Sequence, residues 1–382
     1  MINEEGYTML LEIHMLKNYP STNLNRDDTG TPKSCLFGGI QRSRISSQCL
    51  KRSWRTSPLM QHELKNHLGI RTRKLPELIC QKLKGVVEDS YLPLIQKKLS
   101  GIGNKNSKET NSGITNQIIL YSPADIERVA QAVQEEIQEC GSPKKFEKMK
   151  AKEIEDLLEK NALDRPISLD IALFGRMVTS NAFADVEAAM QVAHAFSVNK
   201  VAMETDFFTA MDDCLSDSEL GSGMMGDVDY NSSCYYLYAS LDVDKLRENL
   251  KYAEKNDELI QAAIPVLLQA MVYTNPGGKQ NSFAGHILPS AICIECKDYP
   301  VPVSYANAFV KPVYPTHDED LISRSIAALA NHIRKISEAY NVPVEKRFWF
   351  TLGQIMDLDI PNTENCKNFV ELLNGVQDLL KP

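Results

Sequence analysis

Apolar and polar positions alternate at the start of the chain. In residues 8–16 aliphatic side chains fall on one face, and Glu12 and His14 fall on the other, which predicts a β-strand. Residues 17–33 are rich in Pro, Ser, Asn, Asp and Gly and predict a loop. Ser46 and Ser47 then precede a helical pattern over 48–56, because a serine at the N-cap can accept a hydrogen bond from the first turn.

Helical spacing dominates the next hundred residues. Ser57-Pro58, Ser122-Pro123 and Ser142-Pro143 each predict a helix start, because proline fits the first helical position. The predicted helices include 124–139 and 144–160. Residues 100–117 contain almost no apolar side chain and predict a mobile insertion.

Strand-like and helical segments are mixed in the second half of the chain. The predicted strands are 167–174, 234–243, 286–295 and 301–307, and the predicted helices are 184–196, 244–273 and 321–340. Residues 275–282 (NPGGKQNS) form a predicted glycine turn. Strands and helices in this order, interrupted by a helical block, predict an α+β fold with insertions.

Composition and charge narrow the class of protein. The 382 residues carry a net charge of −8, with 24% charged and 43% hydrophobic residues, as in ordinary globular proteins. No apolar run is long enough for a membrane span, and residues 1–6 do not look like a secretory signal. Nine scattered cysteines predict reduced thiols and a cytoplasmic location.

Positive charge is concentrated near the N-terminus despite the acidic total. Residues 29–62 contain no acidic side chain. The cations of this stretch are Lys33, Arg42, Arg44, Lys51, Arg52 and Arg55. A local cationic stripe on an acidic protein predicts a defined groove for a polyanion.

The helix over 48–56 would present one cationic face. With about 100° per residue, Gln48, Lys51, Arg52 and Arg55 share an arc, whereas Leu50 and Trp54 point elsewhere and would anchor the helix. Ser47 and the helix N-terminus add backbone donors, and Arg42 and Arg44 lead into the same end. The pattern fits a solvated helix face or a binding site for a phosphate backbone.

Three short motifs add candidates. Asn25-Arg26-Asp27-Asp28 in the loop could bind a metal, act as acid and base, or simply cap a turn. Arg176 and Met177 follow Gly175 and could contact a phosphate and a base, or pack in a core. Lys279 and Gln280 lie in the glycine turn, which lacks the Lys-Ser ending of a nucleotide-binding P-loop.

No metal or cofactor site is predicted. Cys293 and Cys296 form a lone C-x-x-C without a second pair at zinc spacing. No H-E-x-x-H or G-x-S-x-G motif occurs. His14 could face a bound RNA or the surface of the sheet, and it lacks an assigned catalytic partner.

Ordered motifs give the chain a family resemblance. E-I-H at 12–14, L-N-R-D-D at 24–28, F-G-G at 37–39 and R-I-S-S-Q-x-L-K-R at 44–52 resemble the backbone subunit of the type I-E CRISPR Cascade complex, in the RAMP superfamily. D-I-A-L-F-G-R-M at 170–177, D-F-F-T-A-M-D-D at 206–213 and P-G-G-K-Q at 276–280 follow in the same order.

The resemblance implies an architecture like a right hand. The palm would be a modified RNA-recognition-motif, ferredoxin-like sheet made from 1–56, 161–198 and 234–382. Helical fingers would occupy 57–160 and a thumb excursion 199–233. Copies of such subunits stack head to tail into an open helical filament along a guide RNA.

The resemblance also implies roles for individual residues. The residues that it places at the RNA are Asn25, Arg26, Ser47, Gln48, Lys51, Arg52, Arg55, Arg176, Met177, Lys279 and Gln280, with Phe208, Met224 and Met225 in the thumb. The implied partners are CRISPR guide RNA, further copies of the chain, the large, small, belt and guide-processing Cascade subunits, and target DNA through the guide. It implies no catalysis, no cofactor and no membrane.

Two enzymatic alternatives stay open. Related type III backbone subunits cut RNA with a loop aspartate, for which Asp27 or Asp28 would be the candidate in a metal-dependent endonuclease. A guide-processing enzyme could use His14. A solitary RNA-binding module is a third possibility, and it would bind one short site without cooperative growth along the RNA.

Overall fold

The computed structural model describes residues 9–103, 109, 113–159, 165–180, 182–210 and 224–381. The chain divides into two compact units. The sheet unit comprises Met1–Met60, Gln191–Asp242 and Gln261–Pro382, and the helical unit comprises Gln61–Met190 and Val243–Ile260. The described residues mix helices with a large sheet, which confirms the predicted α+β class.

Ten of the described strands form one sheet. The strands are β1 (Leu10–Thr22), β2 (Ser34–Phe37), β3 (Ile40–Ile45), β6 (Met190–Val192), β7 (Ala195–Ser197), β8 (Glu204–Ala210), β9 (Met224–Asp242), β10 (Ala291–Lys297), β11 (Lys346–Thr351) and β12 (Thr363–Cys366). The main path runs β12-β11-β10-β1-β9-β7-β3-β2, with antiparallel pairings except between β11 and β12, while β6 and β8 pair only with β9.

The helices of the sheet unit differ in length. They are α1 (Ser47–Arg55), α11 (Gln280–Phe283), α12 (Leu321–Tyr340) and α13 (Phe369–Leu379), with short 3₁₀ turns at Ala306–Phe309 and Leu352–Gln354. Helices α2 (Pro58–Glu63) and α10 (Asn256–Tyr273) cross the division between the units. Asp320 caps α12, since its side chain accepts from the backbone N–H of Ser323.

Both faces of β1 are buried over residues 10–17, although alternation suggested one core face. Leu16 packs in a cluster with Tyr236 and with α12 residues such as Ile326 and Leu329, on one face of the sheet. Glu12 and His14, on that same face, are also fully buried. Glu12 is stabilised there by an ion pair with Lys297. A polar residue in alternation can therefore belong to a buried ionic network as well as to a solvated face.

The helical unit has its own core. Its elements are β4 (Ile70–Thr72), α3 (Leu75–Leu83), α4 (Leu92–Leu99), β5 (Ile119–Tyr121), α5 (Pro123–Cys140), α6 (Pro143–Lys148), α7 (Ala151–Glu159), α8 (Leu169–Phe174) and α9 (Val243–Asn249), with 3₁₀ turns at Lys65–His67 and Asp89–Tyr91. Ser122 and Asp125 form the capping box that starts α5. Buried aliphatic residues of α3, α4, α5 and α7 pack in one cluster.

Several sequence-based element assignments are wrong. Residues 184–196 do not form a helix, because β6 and β7 pair with β9 and override the helix propensity of the alanines. The predicted strand 167–174 contains helix α8, which ends where Gly175 adopts a φ of 79°. No strand forms in 301–307, and β1 continues to Thr22 into the predicted loop.

Two predicted helices are interrupted. The segment 144–160 divides into α6 and α7, and the segment 244–273 divides into α9 and α10. The starts of α1, α2 and α12, and the length of α12, agree with the sequence prediction. In the described part of the chain, no helix combines the length and apolar character that a membrane crossing requires.

The division into units does not coincide with the predicted palm, fingers and thumb. The helical unit contains most of the predicted fingers and also 161–190 and 243–260. The predicted thumb 199–233 contains β8 and the start of β9, and β9 runs on without a break into the sheet. Residues 104–108 and 110–112 of the predicted insertion, and 211–223 of the predicted thumb, lie outside the described residues.

Candidate nucleic-acid interface

The loop that follows β1 is held in shape by its own side chains. The Asp27 carboxylate accepts hydrogen bonds from the backbone N–H and the hydroxyl of Thr29 and from the N–H of Thr31. The hydrogen bond from the Thr29 side chain is the main cause that holds the pKa of Asp27 below its ordinary value. Asp27 is therefore occupied as a turn-forming residue, and Lys33 closes the loop by donating its N–H to the carbonyl of Asn25.

Asn25 joins this loop to the start of α1. Its side-chain oxygen accepts from the backbone N–H of Ser46 at 2.9 Å. The hydroxyl of Ser46 in turn accepts from the N–H of Cys49 and caps the helix. Leu50 and Trp54 are buried, as predicted from the helical pattern, and fix the helix against the core. The predicted RNA-path residue Asn25 therefore has a defined role as the link between loop and helix.

The outward face of α1 carries the predicted cations. Gln48 and Arg52 are exposed, whereas Ser47, Lys51 and Arg55 are half-buried. Burial lowers the pKa of the Lys51 ammonium from its ordinary value. An anion placed beside such a partly desolvated cation would be bound more strongly than one in open solvent.

The predicted glycine turn, residues 275–282, is a loop that we call the glycine loop, and its Gly278 lies against the loop after β1. A Cβ atom added to Gly278 would lie 2.6 Å from the carbonyl oxygen of Asn23 and would also collide with that of Leu24. The next residue, Lys279, adopts a left-handed conformation with a φ of 50°. The side-chain amide of Gln280 donates to the carbonyl of Pro276. Gly278, which directly precedes Lys279 and Gln280, lines a groove of about 520 Å³ together with Asn25 and Arg26.

Strands β8 and β9 extend beyond the sheet as a two-stranded ribbon. Phe207 and Met225, each 65% exposed, lie on one face of the ribbon. Phe208 and Met224 lie on the other, with the Phe208 ring against Gly226. Both faces therefore expose apolar side chains, a feature that indicates contact with another surface.

The base of the ribbon is attached to the same loop. The carboxylate of Asp229 accepts from the hydroxyls of Thr31 and Thr205. Its backbone carbonyl accepts from the side-chain amide of Asn23 at 2.8 Å. The ring of Tyr230 contacts that of Phe283 at the end of the glycine loop, with 5.5 Å between centroids. The loop after β1 is thus the point where α1, the glycine loop and the ribbon meet.

Sequence analysis missed a cluster beside Arg44. The guanidinium of Arg44 lies 2.7 Å from Nδ1 of His194, an exposed residue on the turn between β6 and β7. Burial first, and then the charges of Arg44 and Lys33, lower the pKa of His194. Lys33 was visible as part of the basic stripe. His194 was not, since it falls in a segment predicted as helix and carries no motif.

Arg42 does not belong to the exposed site. It is fully buried, and its guanidinium donates to the carbonyls of Ser197, Val198, Phe309 and Val310. Arg42 and Arg44 are two residues apart on β3 and share one face of the strand, but Arg42 is enclosed by these carbonyls, whereas Arg44 is only half-buried and reaches His194. Arg42 therefore fastens the edge of the sheet and cannot offer its guanidinium to a phosphate in this structure.

Arg176 and Met177 lie in the helical unit and differ sharply. Arg176 is buried and forms an ion pair with Asp125 at 2.6 Å, with further bonds to the carbonyls of Leu120 and Ala184. It stabilises the helical unit, and its guanidinium is not presented for an RNA phosphate. Met177, in contrast, is 93% exposed. The alternative that Met177 is a core methionine is therefore excluded.

His14 cannot serve as a catalytic residue in this arrangement. It is fully buried, with Nδ1 hydrogen-bonded to the Tyr236 hydroxyl at 2.8 Å. Its ring stacks on Tyr238 and contacts Tyr305. Burial lowers the pKa of His14 to about 4. The expectation that His14 could face a bound RNA is wrong, because the sheet surface at this position is covered.

One family model and two solved structures are similar to this chain. The family model described as CT1975-like protein matches residues 11–373. A solved chain titled "CRISPR RNA-guided surveillance complex, pre-nicking" superposes with a TM-score of 0.80 at 25% identity, covering 97% of this chain and 100% of the other. A search of curated protein sequences finds no match.

A second solved chain, titled "CRISPR RNA-guided surveillance complex", has a TM-score of 0.61 and 22% identity over 97% of this chain and 100% of the other, and it shows the same fold. The family match spans nearly the whole chain and includes the loop after β1, helix α1, the ribbon and the glycine loop. The chain therefore belongs to the CT1975-like family of Cas proteins.

Proposed function

We propose that this chain binds CRISPR guide RNA as the repeating backbone subunit of a surveillance complex of the type I-E Cascade kind. The observation that carries the proposal is the convergence of four features on one loop. Helix α1, the glycine loop, the Arg44 cluster and the ribbon all connect to residues 23–33. The similar chain at TM-score 0.80 comes from a complex whose title names it as RNA-guided and concerned with surveillance.

The charges of the site suit an RNA backbone. Arg26, Lys33, Arg44 and Arg52 form no ion pair with a carboxylate in the ranges that the structure describes. Unpaired cations near one surface favour a polyanion, and phosphate contacts are independent of sequence. A subunit that must accept any guide needs contacts that do not depend on the RNA sequence, because base pairing supplies the recognition of the target.

The ribbon, unlike the cationic surface around α1, is negatively charged. Its described arms, 204–210 and 224–230, carry Glu204, Asp206, Asp227 and Asp229 and no lysine or arginine. Such a ribbon would be repelled by phosphates, so its exposed Phe207, Phe208, Met224 and Met225 would meet bases or a protein surface. We propose that it reaches over the guide onto a neighbouring copy, with Met177 pressing on a displaced base.

We further propose that the subunit is not itself an enzyme. The Asp27 carboxylate is engaged by Thr29 and Thr31, which makes it a poor candidate for a metal-assisted endonuclease. Target DNA would be reached through the guide, and the large, small, belt and guide-processing subunits would be partners in the cytoplasm. No cofactor is part of the proposal.

Purification of the assembled complex tests this function. The chain is co-expressed with a repeat–spacer transcript and the neighbouring subunits, and the nucleic acid is extracted and sized. An intact guide of uniform length with several copies of the chain per RNA is expected. Recovery of the chain without RNA, or of RNA cut at regular intervals when magnesium is present, would contradict the proposal.

A matched pair of variants makes the test specific. Lys51→Ala with Arg55→Ala removes two charges from α1 and should reduce the recovered guide. Lys335→Ala with Lys367→Ala removes two charges from exposed positions on and near α12 and α13, and it should leave recovery unchanged. Equal losses in both variants would show only a response to net charge.

A further inference from the structure

Lys17 is a buried cation that the proposed interface does not use directly. It lies on β1, and its side chain is almost completely shielded from solvent. Its ammonium donates to the carbonyl oxygens of Met271 at 3.0 Å, Val272 at 2.9 Å and Thr274 at 3.2 Å. These carbonyls end helix α10, where the backbone has no further turn to satisfy them. All three N–H donors of the ammonium are therefore used at one helix end.

Burial of the Lys17 ammonium destabilises the folded state. No described carboxylate pairs with Lys17, and burial alone lowers the pKa of its ammonium to about 7. A buried ammonium without an ion partner is disfavoured, and here its three hydrogen bonds to carbonyl oxygens offset part of that cost. The end of α10 leads directly into the glycine loop.

Tyr19, the next side chain on the same face of β1, also contacts the start of the glycine loop. The hydroxyl of Tyr19 donates to the side-chain oxygen of Asn275 at 2.6 Å. The amide of Asn275 donates to the carbonyl of Ile287, beyond the far end of the glycine loop. Lys17 and Tyr19 thus hold the start of the glycine loop against β1 in the centre of the sheet. Asn275 connects the start of this loop to the residues that follow its end.

The loop between these anchors has little freedom. Gly278 lies against the carbonyls of Asn23 and Leu24, and Lys279 is held in the left-handed region. A non-glycine residue in that region is strained and persists only where the surroundings fix it. The position of Lys279 therefore depends on the fixed end of α10.

We propose that Lys17 is a positioning residue whose ammonium fixes the end of α10 and thereby sets Lys279 for contact with the RNA backbone. This inference rests on the proposed function for the contact between Lys279 and RNA. The anchoring half is independent of RNA, since it concerns the free protein. The two halves can be measured separately.

Hydrogen exchange of the free protein tests the anchoring half. Lys17→Met keeps the length of the side chain and removes the three donors. We expect amides of 274–285 to exchange at least about tenfold faster, while those of β10 keep their wild-type rates. Unchanged loop rates, or an equal acceleration in β10, would overturn the inference, because the second result indicates only general destabilisation.

A more conservative variant provides a second test in case the Lys17→Met protein does not fold. Tyr19→Phe removes only the hydroxyl that donates to Asn275 and keeps the ring. We expect a smaller acceleration confined to the same loop amides. No acceleration in this variant, together with an unfolded Lys17→Met protein, would also overturn the inference.

RNA affinity tests the functional half through a double-mutant cycle. Lys279→Ala should weaken binding of single-stranded RNA about fivefold in the wild-type background. The same substitution should have little effect in Lys17→Met, because Lys279 is already displaced. An undiminished effect would overturn the positioning role, whereas no effect of Lys279→Ala in the wild type would overturn the RNA contact itself.

Discussion

Gly278 and Asn23 approach so closely that no side chain fits between them. A Cβ atom on Gly278 would lie 2.6 Å from the carbonyl oxygen of Asn23, which is shorter than any ordinary contact of that kind. The two backbones come from distant parts of the chain, the end of β1 and the glycine loop. Their contact holds the candidate RNA-binding residues of both segments beside each other.

Gly278→Ala should therefore separate the glycine loop from the loop after β1. We expect the free energy of unfolding to fall by about 1–3 kcal/mol, as for an overpacked site, and RNA affinity to fall with it. Gly277→Ala is the matched control, because a Cβ there meets nothing within 4 Å. Thermal unfolding and RNA binding of both variants provide the measurement, and equal behaviour of the two would contradict the close-approach argument.

Met177 should act on the bound RNA and leave the fold unaffected. Its side chain is 93% exposed, so Met177→Ala should leave the unfolding midpoint unchanged and affinity nearly intact. The proposed wedge predicts that bases displaced at regular intervals become less reactive to chemical probes in this variant. An unaltered reactivity pattern along the guide would exclude the wedge.

His194 should make RNA binding depend on pH. In the free protein its pKa is lowered by burial and by Arg44 and Lys33, and a nearby phosphate would raise it again. Proton uptake on binding means that affinity increases as the pH falls below about 6.5, the ordinary histidine value. Binding measured between pH 8 and 5.5 should show this increase for the wild type and a weaker increase for His194→Gln. Identical profiles would remove His194 from the interface.

His14 should make stability depend on pH in the acidic range. Its pKa is about 4 in the fold and 6.5 when exposed. As the pH falls below 6.5 the unfolded chain binds a proton that the folded chain excludes, so stability decreases until about pH 4 and is unaffected above 6.5. At pH 5 the loss should be about 2 kcal/mol.

Chemical denaturation of the wild type and His14→Phe isolates this contribution of His14. The phenylalanine keeps an aromatic ring beside Tyr238 and Tyr305 but cannot titrate. We expect the wild type to lose about 2 kcal/mol of stability relative to His14→Phe between pH 7 and pH 5. A constant difference would show that His14 is protonated without cost in the fold.

Prediction from sequence succeeded where one local rule decided the outcome. The capped start of α1 and its division into a buried Leu50 side and a cationic side follow from helical periodicity and serine capping. The likeness to the CRISPR surveillance family rests on motifs in order, and the family match confirms the family.

Prediction failed where tertiary contacts decided. Arg42 and Arg44 look alike in sequence, yet only the structure shows that four backbone carbonyls enclose Arg42. Arg176 likewise looked like a phosphate ligand until its carboxylate partner Asp125, 51 positions away in the chain, was placed. His194 joined the site only because β6 and β7 replaced the predicted helix.

The salt dependence of RNA binding tests the central claim most directly. Affinity for single-stranded RNA is measured across a range of salt concentrations for the wild type, for Lys51→Ala with Arg55→Ala, and for Lys335→Ala with Lys367→Ala. Loss of two phosphate contacts should reduce the slope of log affinity against log salt by about 1.4 in the α1 variant alone. The same slope in all three proteins would contradict the assignment of α1 as the surface that holds the RNA backbone.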